Sequence, residues 1–362
     1  MLNLIRKMFS NNIESYMETV KLGMLGSGFV ANFYMEGLSN VPGQEVVVNT
    51  SRTLENAEEF AEKWDIPNYT DSIDEAIENE EVDLYLIALP NFVHEEVVKK
   101  LSENNCPMVC SKPLGRNTEE AENMLKAVQE ADVFNGYAET EVFAPAVVKA
   151  KELIENGALG EVKWVRSREG HPGPHEGWFW DEEKAGGGAI IDIGCHCVEA
   201  ARYFFGKDRK IKEVMAWGDT LVHTDKTEGE DNAIIMLKFE DGGIAHLENS
   251  WSSAGGLDLR NEIYGTDGTT FTNVTRSTPI KAFAGGEAGY VVEKAESEKG
   301  WIFPLPEEAF SYGYQAEMKH FVNCFKEGEE PRETFEDGYI VNKVLDAAYE
   351  SIEKGKWVKV DY

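Results

Sequence analysis

The stretch VKLGMLGSGFVA, residues 20–31, decides the fold of this chain, because an apolar run passes directly into a glycine turn that opens a helix. Val20–Leu25 has the pattern of a buried strand. In the G-x-G-x-x-A turn that follows, Gly26 permits a tight turn, Gly28 lets a pyrophosphate approach the backbone, and Ala31 allows close helix packing. A purely structural turn is the alternative, but the position after the first strand favours dinucleotide binding. The predicted cofactor contacts here are Gly26, Ser27, Gly28, Phe29 and Val30.

The rest of the chain predicts two domains. Short apolar runs alternate with helical patterns to about residue 140, which predicts a doubly wound parallel sheet of the Rossmann type. Later apolar-alternating runs, separated by turns, predict an open, mostly antiparallel sheet. We therefore expect an α/β protein with an N-terminal extension over 1–18, a dinucleotide-binding domain over 19–140, and an α+β domain over 141–362 for substrate binding and oligomerisation. The two closing helices could pack back onto the first domain.

Composition limits the partners and the compartment. The 362 residues include 35 Lys and Arg against 66 Asp and Glu, a formal net charge of −31, which disfavours nucleic acids and anionic membrane surfaces. No apolar run is long enough to span a bilayer. The five cysteines, an odd number scattered along the chain, do not suggest a disulfide framework, so we expect a cytoplasmic protein.

The end of the second predicted strand bears on the choice of cofactor. A carboxylate at this position would bind the free ribose hydroxyls of NAD, but residues 49–53 are NTSRT, and no acid occurs before Glu55. The hydroxyl of Ser51 and the guanidinium of Arg52 suit the 2′-phosphate of NADP. The sequence therefore favours NADP. The alternative is NAD, with Arg52 stacked on adenine and Ser51 bound to a ribose hydroxyl.

Two later segments also follow predicted strands. The backbone of LPNFVH, residues 89–94, could line the nicotinamide side of the cofactor site. In CSKPL, residues 110–114, Lys112 follows a short strand, and a lysine buried near the cofactor would have a lowered pKa and share a proton with a substrate hydroxyl. A surface lysine before a turn is the alternative. The predicted cofactor contacts are Leu89, Pro90, Asn91, His94, Ser111 and Lys112.

The segment AGGGAIIDIGCHCVEAARYFFG, residues 185–206, leads from a glycine run into an amphipathic helix. Asp192 and His196 are four residues apart and project from one helical face. The carboxylate would orient the ring and fix its tautomer, and the ring titrates near neutral pH, so we predict a proton-handling pair. The alternative is a capping aspartate beside a histidine satisfied within the core.

The loop REGHPGPHEGWFWD, residues 168–181, is dense in imidazole and aromatic groups. Trp178 or Trp180 could stack on a sugar while histidine and arginine side chains form hydrogen bonds. The predicted substrate contacts are Arg168, His171, His175, Trp178, Asp192 and His196. One alternative is a loop that only covers the domain interface. Another is a metal site built from His171, His175 and His196 with Cys195 or Cys197. Because these spacings match no standard ligand pattern, we predict no metal.

Four of these motifs, in this order, resemble the Gfo/Idh/MocA family of nicotinamide-dependent oxidoreductases, from Val20 onward. They are the G-x-G-x-x-A turn, the P-N-x-x-H segment, the lysine-proline step and the G-G-G-x-x-x-D-x-G-x-H segment. The resemblance implies a Rossmann domain followed by an open-sheet domain that shapes the substrate site and often builds dimers or tetramers. It also implies that Lys112, Asp192 and His196 line the reacting centre. Ser111 stands where the family usually has glutamate, a change that would alter the orientation of the cofactor or the proton affinity of the lysine.

The motifs together predict an oxidoreductase that transfers hydride between nicotinamide C4 and a hydroxyl-bearing or carbonyl carbon of a sugar, polyol or glycoside. In oxidation, Lys112 or His196 would accept the hydroxyl proton, and Asp192 would orient and polarise that group. One alternative is a redox-neutral lyase or glycosidase with tightly bound NAD(P). The other is a non-catalytic dinucleotide-binding regulator. We expect a homodimer or homotetramer with a small carbohydrate or polyol substrate.

Overall fold

The computed structural model describes residues 19–79, 81–276, 278 and 280–362, so the expected extension over 1–18 lies outside the described residues. No helix within these ranges is long and apolar enough to cross a membrane. The chain forms two compact units. Unit 1 holds the described residues up to Ser111 together with Met124–Ala138 and Gln315–Phe335, and unit 2 holds Lys112–Asn123, Glu139–Tyr314 and Glu336–Tyr362.

Unit 1 is built on a six-stranded parallel sheet in the order β3-β2-β1-β4-β5-β6, which confirms the predicted doubly wound, Rossmann-type fold. Its strands are β1 (Val20–Leu25), β2 (Gln44–Thr50), β3 (Asn68–Thr70), β4 (Leu84–Ile87), β5 (Met108–Ser111) and β6 (Asn135–Ala138). The central strands β1, β4 and β5 are buried almost throughout, as expected where helices cover both faces of a parallel sheet. The helices wholly or mainly in this unit are α1 (Phe29–Leu38), α2 (Leu54–Trp64), α3 (Ile73–Ile77), α4 (His94–Glu103), α5 (Thr118–Ala131) and α10 (Tyr314–Glu327).

Unit 2 is built on a seven-stranded sheet in the order β12-β11-β7-β10-β9-β8-β15. The β7–β10 pair is parallel and the other pairs are antiparallel, which confirms the predicted mostly antiparallel sheet. The strands are β7 (Val162–Gly170), β8 (Ile211–Asp219), β9 (Asn232–Phe239), β10 (Ile244–Ser250), β11 (Asp258–Gly265), β12 (Thr269–Asn273) and β15 (Val358–Lys359), with a separate hairpin of β13 (Ala282–Ala284) and β14 (Gly300–Ile302). The helices are α6 (Pro145–Glu155), α7 (Glu182–Ala185), α8 (Cys195–Phe205), α9 (Glu308–Tyr312) and α11 (Phe335–Lys354).

The two faces of the unit 2 sheet differ, because successive side chains of a strand point to opposite faces. Helix α8 packs against β7 on the face that we call the inner face, where Val165, Ser167 and Glu169 are buried. The opposite, outer face carries exposed apolar side chains, namely Trp164, Trp217, Ile234, Met236 and Phe271. The sheet therefore has one covered and one open face.

The helix predicted to carry Asp192 and His196 begins in an unusual form. After the glycine run, Ile190–Gly194 forms one π-helical turn, and α8 starts at Cys195. Single π turns at the start of or within a helix are frequent at functional sites. Asp192 therefore lies in the π turn, and His196 lies in the first turn of α8.

Candidate active site

The turn after β1 has the form that a dinucleotide needs. Gly26 has a φ of 118°, and an added Cβ would lie 2.2 Å from the carbonyl oxygen of Ala88, so only glycine fits there. At Gly28, the N-cap of α1, an added Cβ would meet no atom within 4 Å. The start of α1 therefore adjoins open space through which a pyrophosphate could reach the helix N-terminus. The residues present fit the predicted dinucleotide.

The adenosine side of this turn carries hydroxyl groups. The Oγ atom of Ser27 lies 2.6 Å from that of Ser51, just beyond β2, and Arg52 is exposed. A guanidinium beside a serine hydroxyl suits a phosphate group, and the same hydroxyls can bind ribose. The geometry at Ser51 and Arg52 therefore fits NAD as well as NADP.

The segment at residues 89–94 is held by its histidine. His94 is buried, and its Nε2 lies 2.9 Å from the carbonyl oxygen of Leu89 and 3.4 Å from Ser111 Oγ. Asn91 in the same segment is buried as well. The ring of His94 thus positions the segment against the end of β5, while its predicted contact with the cofactor stays a prediction.

The centre of the candidate site in unit 2 is an ion pair between Lys112 and Asp192. The Nζ atom of Lys112 lies 2.7 Å from the carbonyl oxygen and 3.3 Å from Oδ1 of Asp192. The other carboxylate oxygen, Oδ2, accepts a 2.9 Å hydrogen bond from Trp251 Nε1 and lies 3.4 Å from His171 Nε2. Since the N–H of Gly173 donates to His171 Nδ1 at 3.1 Å, the hydrogen of the neutral ring belongs on Nε2, facing Asp192. The structure thus brings the predicted residues Lys112, His171 and Asp192 together.

This ion pair reverses the expected pKa of Lys112. Burial, the largest single effect, would lower the pKa, but the charge of Asp192 together with smaller contributions from Cys195, Glu169 and Glu139 raises the pKa above its usual value. Burial would raise the pKa of Asp192, yet Lys112 and His171 hold it well below its usual value. The expectation of a lowered pKa at Lys112 is therefore wrong, because the sequence does not show which carboxylate faces the ammonium group. Lys112 is a charged hydrogen-bond donor at neutral pH.

His196 pairs with Glu139 rather than with Asp192. Its Nδ1 is in hydrogen-bond contact with Oε1 of Glu139, a fully buried residue that directly follows β6. The predicted Asp192–His196 pairing is therefore wrong as a contact, because the Lys112 ammonium attracts a carboxylate more strongly than a neutral imidazole does. Burial lowers the pKa of His196 to about 4 and raises that of Glu139 to about 8. His196 is thus a neutral imidazole at pH 7 whose Nε2 is not engaged by Glu139.

The loop at residues 168–181 brings Trp180, one of the two tryptophans considered from the sequence, to the site. Trp180 packs against Trp251, the hydrogen-bond donor to Asp192, with ring centroids 5.3 Å apart. Trp178 instead stacks on its neighbour in sequence at 3.7 Å. Trp180 therefore lies beside the residues that contact Asp192, and the contact of Trp178 with substrate stays a prediction.

Two other predicted substrate contacts in this loop have different partners. Arg168 points to the outer face of β7 and forms ion pairs with Asp258, at 3.1 Å, and with Glu248. His175 is exposed, and its Nε2 lies 3.7 Å from Glu293. The structure does not bring Arg168 or His175 to the Lys112–Asp192 pair.

The sequence interpretation missed four residues at this site, namely Glu139, Glu169, Trp251 and Lys294. Glu139 could have been predicted from the sequence, because it directly follows a predicted strand and ligands bind at the carboxyl ends of parallel strands. Glu169 is buried on the inner face of β7, and burial raises its pKa to about 8. Lys294 donates a 3.0 Å hydrogen bond to the carbonyl oxygen of Gly173, and burial lowers its pKa. Trp251 and Lys294 come from distant parts of the chain and carry no local signal.

One trio of side chains has the composition of a metal site. Glu139, Cys195 and His196 each offer a ligand atom, and these atoms lie within 4.8 Å of one another. His196 Nδ1 is already bonded to Glu139, and burial keeps the pKa of the Cys195 thiol well above its usual value. We therefore assign no metal to this trio.

Comparison with known proteins identifies the family. Residues 20–137 match the family described as "Oxidoreductase family, NAD-binding Rossmann fold", and residues 147–271 match the "GFO/IDH/MocA C-terminal domain". The chain is 27% identical to a myo-inositol 2-dehydrogenase of Thermotoga maritima, over 94% of this chain and 99% of that protein. GenD2 from gentamicin A biosynthesis, solved in complex with NAD, has a TM-score of 0.89 at 28% identity over 95% of this chain and 97% of that one. Levoglucosan dehydrogenase in complex with NADH and levoglucosan has a TM-score of 0.82 at 26% identity, over 95% of this chain and 100% of that one. In agreement with the order of its sequence motifs, this chain belongs to the Gfo/Idh/MocA family of oxidoreductases.

Proposed function

We propose that this chain is a nicotinamide-dependent dehydrogenase that oxidises a hydroxyl-bearing carbon of a sugar, polyol or glycoside, or reduces the matching carbonyl. The observation that carries this proposal is the group of Lys112, Asp192 and His196, whose side chains are 20%, 7% and 12% exposed. This group combines a charged hydrogen-bond donor with a neutral base. The relatives support it, because one is named for myo-inositol and another was solved with levoglucosan.

Each residue of this group has its own task in the reaction. Lys112, kept protonated by Asp192, donates a hydrogen bond to the substrate oxygen and stabilises the negative charge that develops there. His196 accepts the hydroxyl proton at Nε2, because its imidazole is neutral at pH 7. Glu139 holds the other ring nitrogen and fixes the orientation of the ring. The raised pKa of Lys112 therefore makes His196 the base and Lys112 the electrophilic partner.

The same proposal includes NADP as the preferred dinucleotide. The turn at residues 26–30 would hold the pyrophosphate, and Ser51 with Arg52 would bind the 2′-phosphate. When bound, the nicotinamide supplies a hydride acceptor or donor at C4. GenD2 and levoglucosan dehydrogenase were solved with NAD and NADH, so the preference needs its own test. Fluorescence titrations should show tighter binding of NADPH than of NADH, and the opposite order would contradict the preference.

The outer face of the unit 2 sheet supports a homodimer or homotetramer. Trp164, Trp217 and Phe271 are 48%, 47% and 64% exposed, and an exposed apolar patch is typical of an interaction surface. A second copy could cover this patch with its own in a twofold-symmetric contact. Light scattering of the protein and of Trp164→Glu should show loss of the oligomer in the variant. The five cysteines are free thiols, which supports a cytoplasmic location.

A panel of sugars and polyols, assayed with NAD and NADP by nicotinamide absorbance, tests the reaction. Lys112→Ala should bind the cofactor normally and lose turnover by orders of magnitude, because the substrate oxygen loses its charged donor. Near-normal turnover of this variant would contradict the proposal. Glycoside cleavage without a net change in nicotinamide absorbance would instead indicate the redox-neutral lyase, and cofactor binding without any turnover would indicate a regulator.

A further inference from the structure

The π turn that carries Asp192 is capped by a residue from a distant part of the chain. The first N–H groups of a helix have no acceptor within the helix and need one outside it. Ala189, at the N-cap position, makes no side-chain hydrogen bond to the turn. Instead, the N–H of Ile190 donates to Oε1 of Glu230 at 2.7 Å, and the N–H of Ala189 donates to the backbone carbonyl of Glu230 at 2.8 Å. Glu230, which precedes β9, therefore acts as the cap.

A tyrosine of α11 completes this cap. The hydroxyl of Tyr349 donates to Oε1 of Glu230 at 3.1 Å and accepts the N–H of Gly188 at 3.3 Å. The carbonyl oxygen of Gly188 in turn accepts the N–H of Asp192 at 3.1 Å. The backbone from Gly188 to Asp192 is therefore held by two side chains, Glu230 and Tyr349, which we call the π-turn cap.

The glycine run before the π turn permits this close approach. A Cβ added at Gly187 would lie 2.0 Å from the Tyr349 hydroxyl, and one added at Gly188 would lie 2.0 Å from the carbonyl oxygen of Glu230. Both glycines are buried, as is Glu230. The glycines therefore fit the backbone against the π-turn cap, a contact that the sequence alone does not indicate.

The π-turn cap is joined directly to the candidate site through Asp192. Lys112 Nζ contacts both the carbonyl oxygen and Oδ1 of Asp192, so a shift of the π turn would move both of these oxygen atoms. Trp251, which donates to Oδ2 of Asp192, is held by the same segment as the cap, because its backbone N–H donates to the carbonyl of Asp231 at 2.7 Å. Residues 230 and 231 thus hold both Asp192 and its indole partner.

We propose that Glu230 is a positioning residue for the reaction, which together with Tyr349 caps the π turn and holds Asp192 against Lys112 during turnover. This inference rests on the proposed dehydrogenase function. An ionised carboxylate accepts hydrogen bonds more strongly than a neutral carbonyl oxygen does, and its charge suits the N-terminal end of a helical turn. Glu230 should therefore hold the turn more strongly when it is ionised than when it is protonated.

The ionisation of Glu230 falls near neutral pH. Burial raises its pKa, and hydrogen bonds from the Ile190 N–H and the Tyr349 hydroxyl lower it, which leaves the pKa at about 7. The other titratable groups on the segments packed against Glu230 are Glu182, Asp192, Asp219, Glu228, Asp231 and Tyr349. The pKa of Tyr349 is raised, and those of Asp192 and Asp231 are lowered. The remaining three carboxylates of this set are exposed.

The indole N–H of Trp251 tests this coupling without cofactor or substrate, because it donates to Asp192. Its NMR signal is followed over pH in protein that carries isotope-labelled tryptophan, and Trp251→Phe identifies the signal. The signal should shift with a midpoint near 7 in the unmodified protein and should lose this midpoint in Glu230→Gln. In Tyr349→Phe the midpoint should move to higher pH, because the hydroxyl lowers the pKa of Glu230. Absence of the midpoint in the unmodified protein, or an equal midpoint in Glu230→Gln, would overturn the proposal.

Asp346→Asn is the matched control. Asp346 also lies on α11, and its Oδ2 accepts the N–H of Thr118, the first residue of α5, at 2.8 Å. It therefore caps a helix from a distant part of the chain, as Glu230 does, but α5 carries none of the candidate site residues. Asp346→Asn should keep the midpoint of the Trp251 signal and the turnover number, even where the loss of a cap lowers the free energy of unfolding.

Turnover at saturating cofactor and sugar tests the consequence for the reaction. Glu230→Gln keeps an oxygen that can accept the Ile190 N–H but has no charge at any pH. The ratio of kcat in the unmodified protein to kcat in this variant should be close to one at low pH, where Glu230 is protonated. It should rise to about tenfold above the pKa of Glu230, where a charged acceptor is lost. Glu139 and Glu169 also titrate above neutral pH, but they are present in both proteins and cancel in the ratio.

The outcomes separate this inference from the proposed function. A kcat ratio that stays the same across pH would overturn the positioning role of Glu230 alone. Absence of cofactor reduction by the unmodified protein with every sugar and polyol would contradict the proposed function, while the Trp251 signal would still test the π-turn cap. Should Glu230→Gln not fold, Tyr349→Phe replaces it, and its kcat should rise with pH at a higher midpoint than in the unmodified protein.

Discussion

Replacing Lys112 by methionine removes the charge of the central ion pair but keeps an unbranched side chain of similar length. The Nζ atom lies 3.3 Å from Asp192 Oδ1, and the two side chains are 20% and 7% exposed. At an effective dielectric constant of about 20, two unit charges at this distance attract each other by about 5 kcal/mol. Desolvation offsets much of this attraction in the intact pair. Lys112→Met, however, leaves a buried carboxylate without its cation, which should lower the free energy of unfolding by about 3–5 kcal/mol.

A double-mutant cycle isolates the interaction from the desolvation of each group. Asp192→Asn alone leaves the ammonium group buried without its anion, so it should also destabilise the protein. In the double variant no charge remains without its partner, and Trp251 can still donate to the amide oxygen at position 192. The loss of stability should therefore be smaller than the sum of the two single losses by about 2–3 kcal/mol.

Urea unfolding followed by tryptophan fluorescence measures these changes, because every tryptophan except Trp64 lies in unit 2. Titration with NADH serves as the control, since the cofactor turn belongs to unit 1 and should keep its affinity. If the two single effects add within about 0.5 kcal/mol, then Lys112 and Asp192 are not a coupled buried pair. That result would also refute the raised pKa of Lys112 and the choice of His196 as the base.

Three further predictions concern other parts of the chain. Gly26→Ala should destabilise the protein by more than about 1 kcal/mol, because the added Cβ would collide with Ala88. Gly28→Ala should leave thermal unfolding unchanged but weaken NADH binding about tenfold. An equal loss of stability in Gly26→Ala and Gly28→Ala would contradict the different roles of the two glycines. The contribution of Glu141 to the free energy of unfolding should fall as the pH rises from 4.5 to about 8, because over this range Glu141 is protonated in the folded state but not in the unfolded state. In a pH series of urea unfolding, Glu141→Gln should reduce this fall by up to about 1.4 kcal/mol per pH unit, and an unchanged slope would argue against a protonated Glu141. Arg52→Ala should raise the Kd of NADPH more than that of NADH, and an equal change would exclude a contact between Arg52 and the 2′-phosphate.

The fold could be predicted from the sequence because its signals are local. The glycine turn at residues 26–31 and the alternation of apolar runs with helical patterns act over a few residues, and the structure confirms both the Rossmann sheet and the mostly antiparallel second sheet. The π turn over Ile190–Gly194 has no comparable signal. Its residues have an ordinary helical pattern, and the wider turn depends on how the surrounding elements pack.

The sequence indicated Lys112, Asp192 and His196 as members of the candidate site, but not how these residues pair. Asp192 and His196 are close in sequence, which suggested a pair. In the structure, Asp192 contacts Lys112 and His196 contacts Glu139, each more than fifty residues away in sequence. The direction of the pKa shift at Lys112 could not be predicted without knowing that Asp192 faces it, because burial lowers the pKa of a lysine and an ion pair raises it. Glu169 could have been found, because the alternation of β7 places it on the same face as the buried Val165. A charged residue at such a position is rarely buried without a reason.

The two units are interleaved along the chain, which limits how cofactor preference and substrate preference can be exchanged between related genes. Lys112 and Glu139 are each the first residue of unit 2 after a strand of unit 1, and the chain passes from one unit to the other five times. A single exchange between two related genes therefore cannot transfer one unit intact. A chimera that takes the whole of unit 2 from one relative and unit 1 from another needs all five junctions, two of which lie directly after Ser111 and Ala138. Cofactor preference and substrate preference are therefore expected to diverge by individual substitutions rather than by exchange of whole domains.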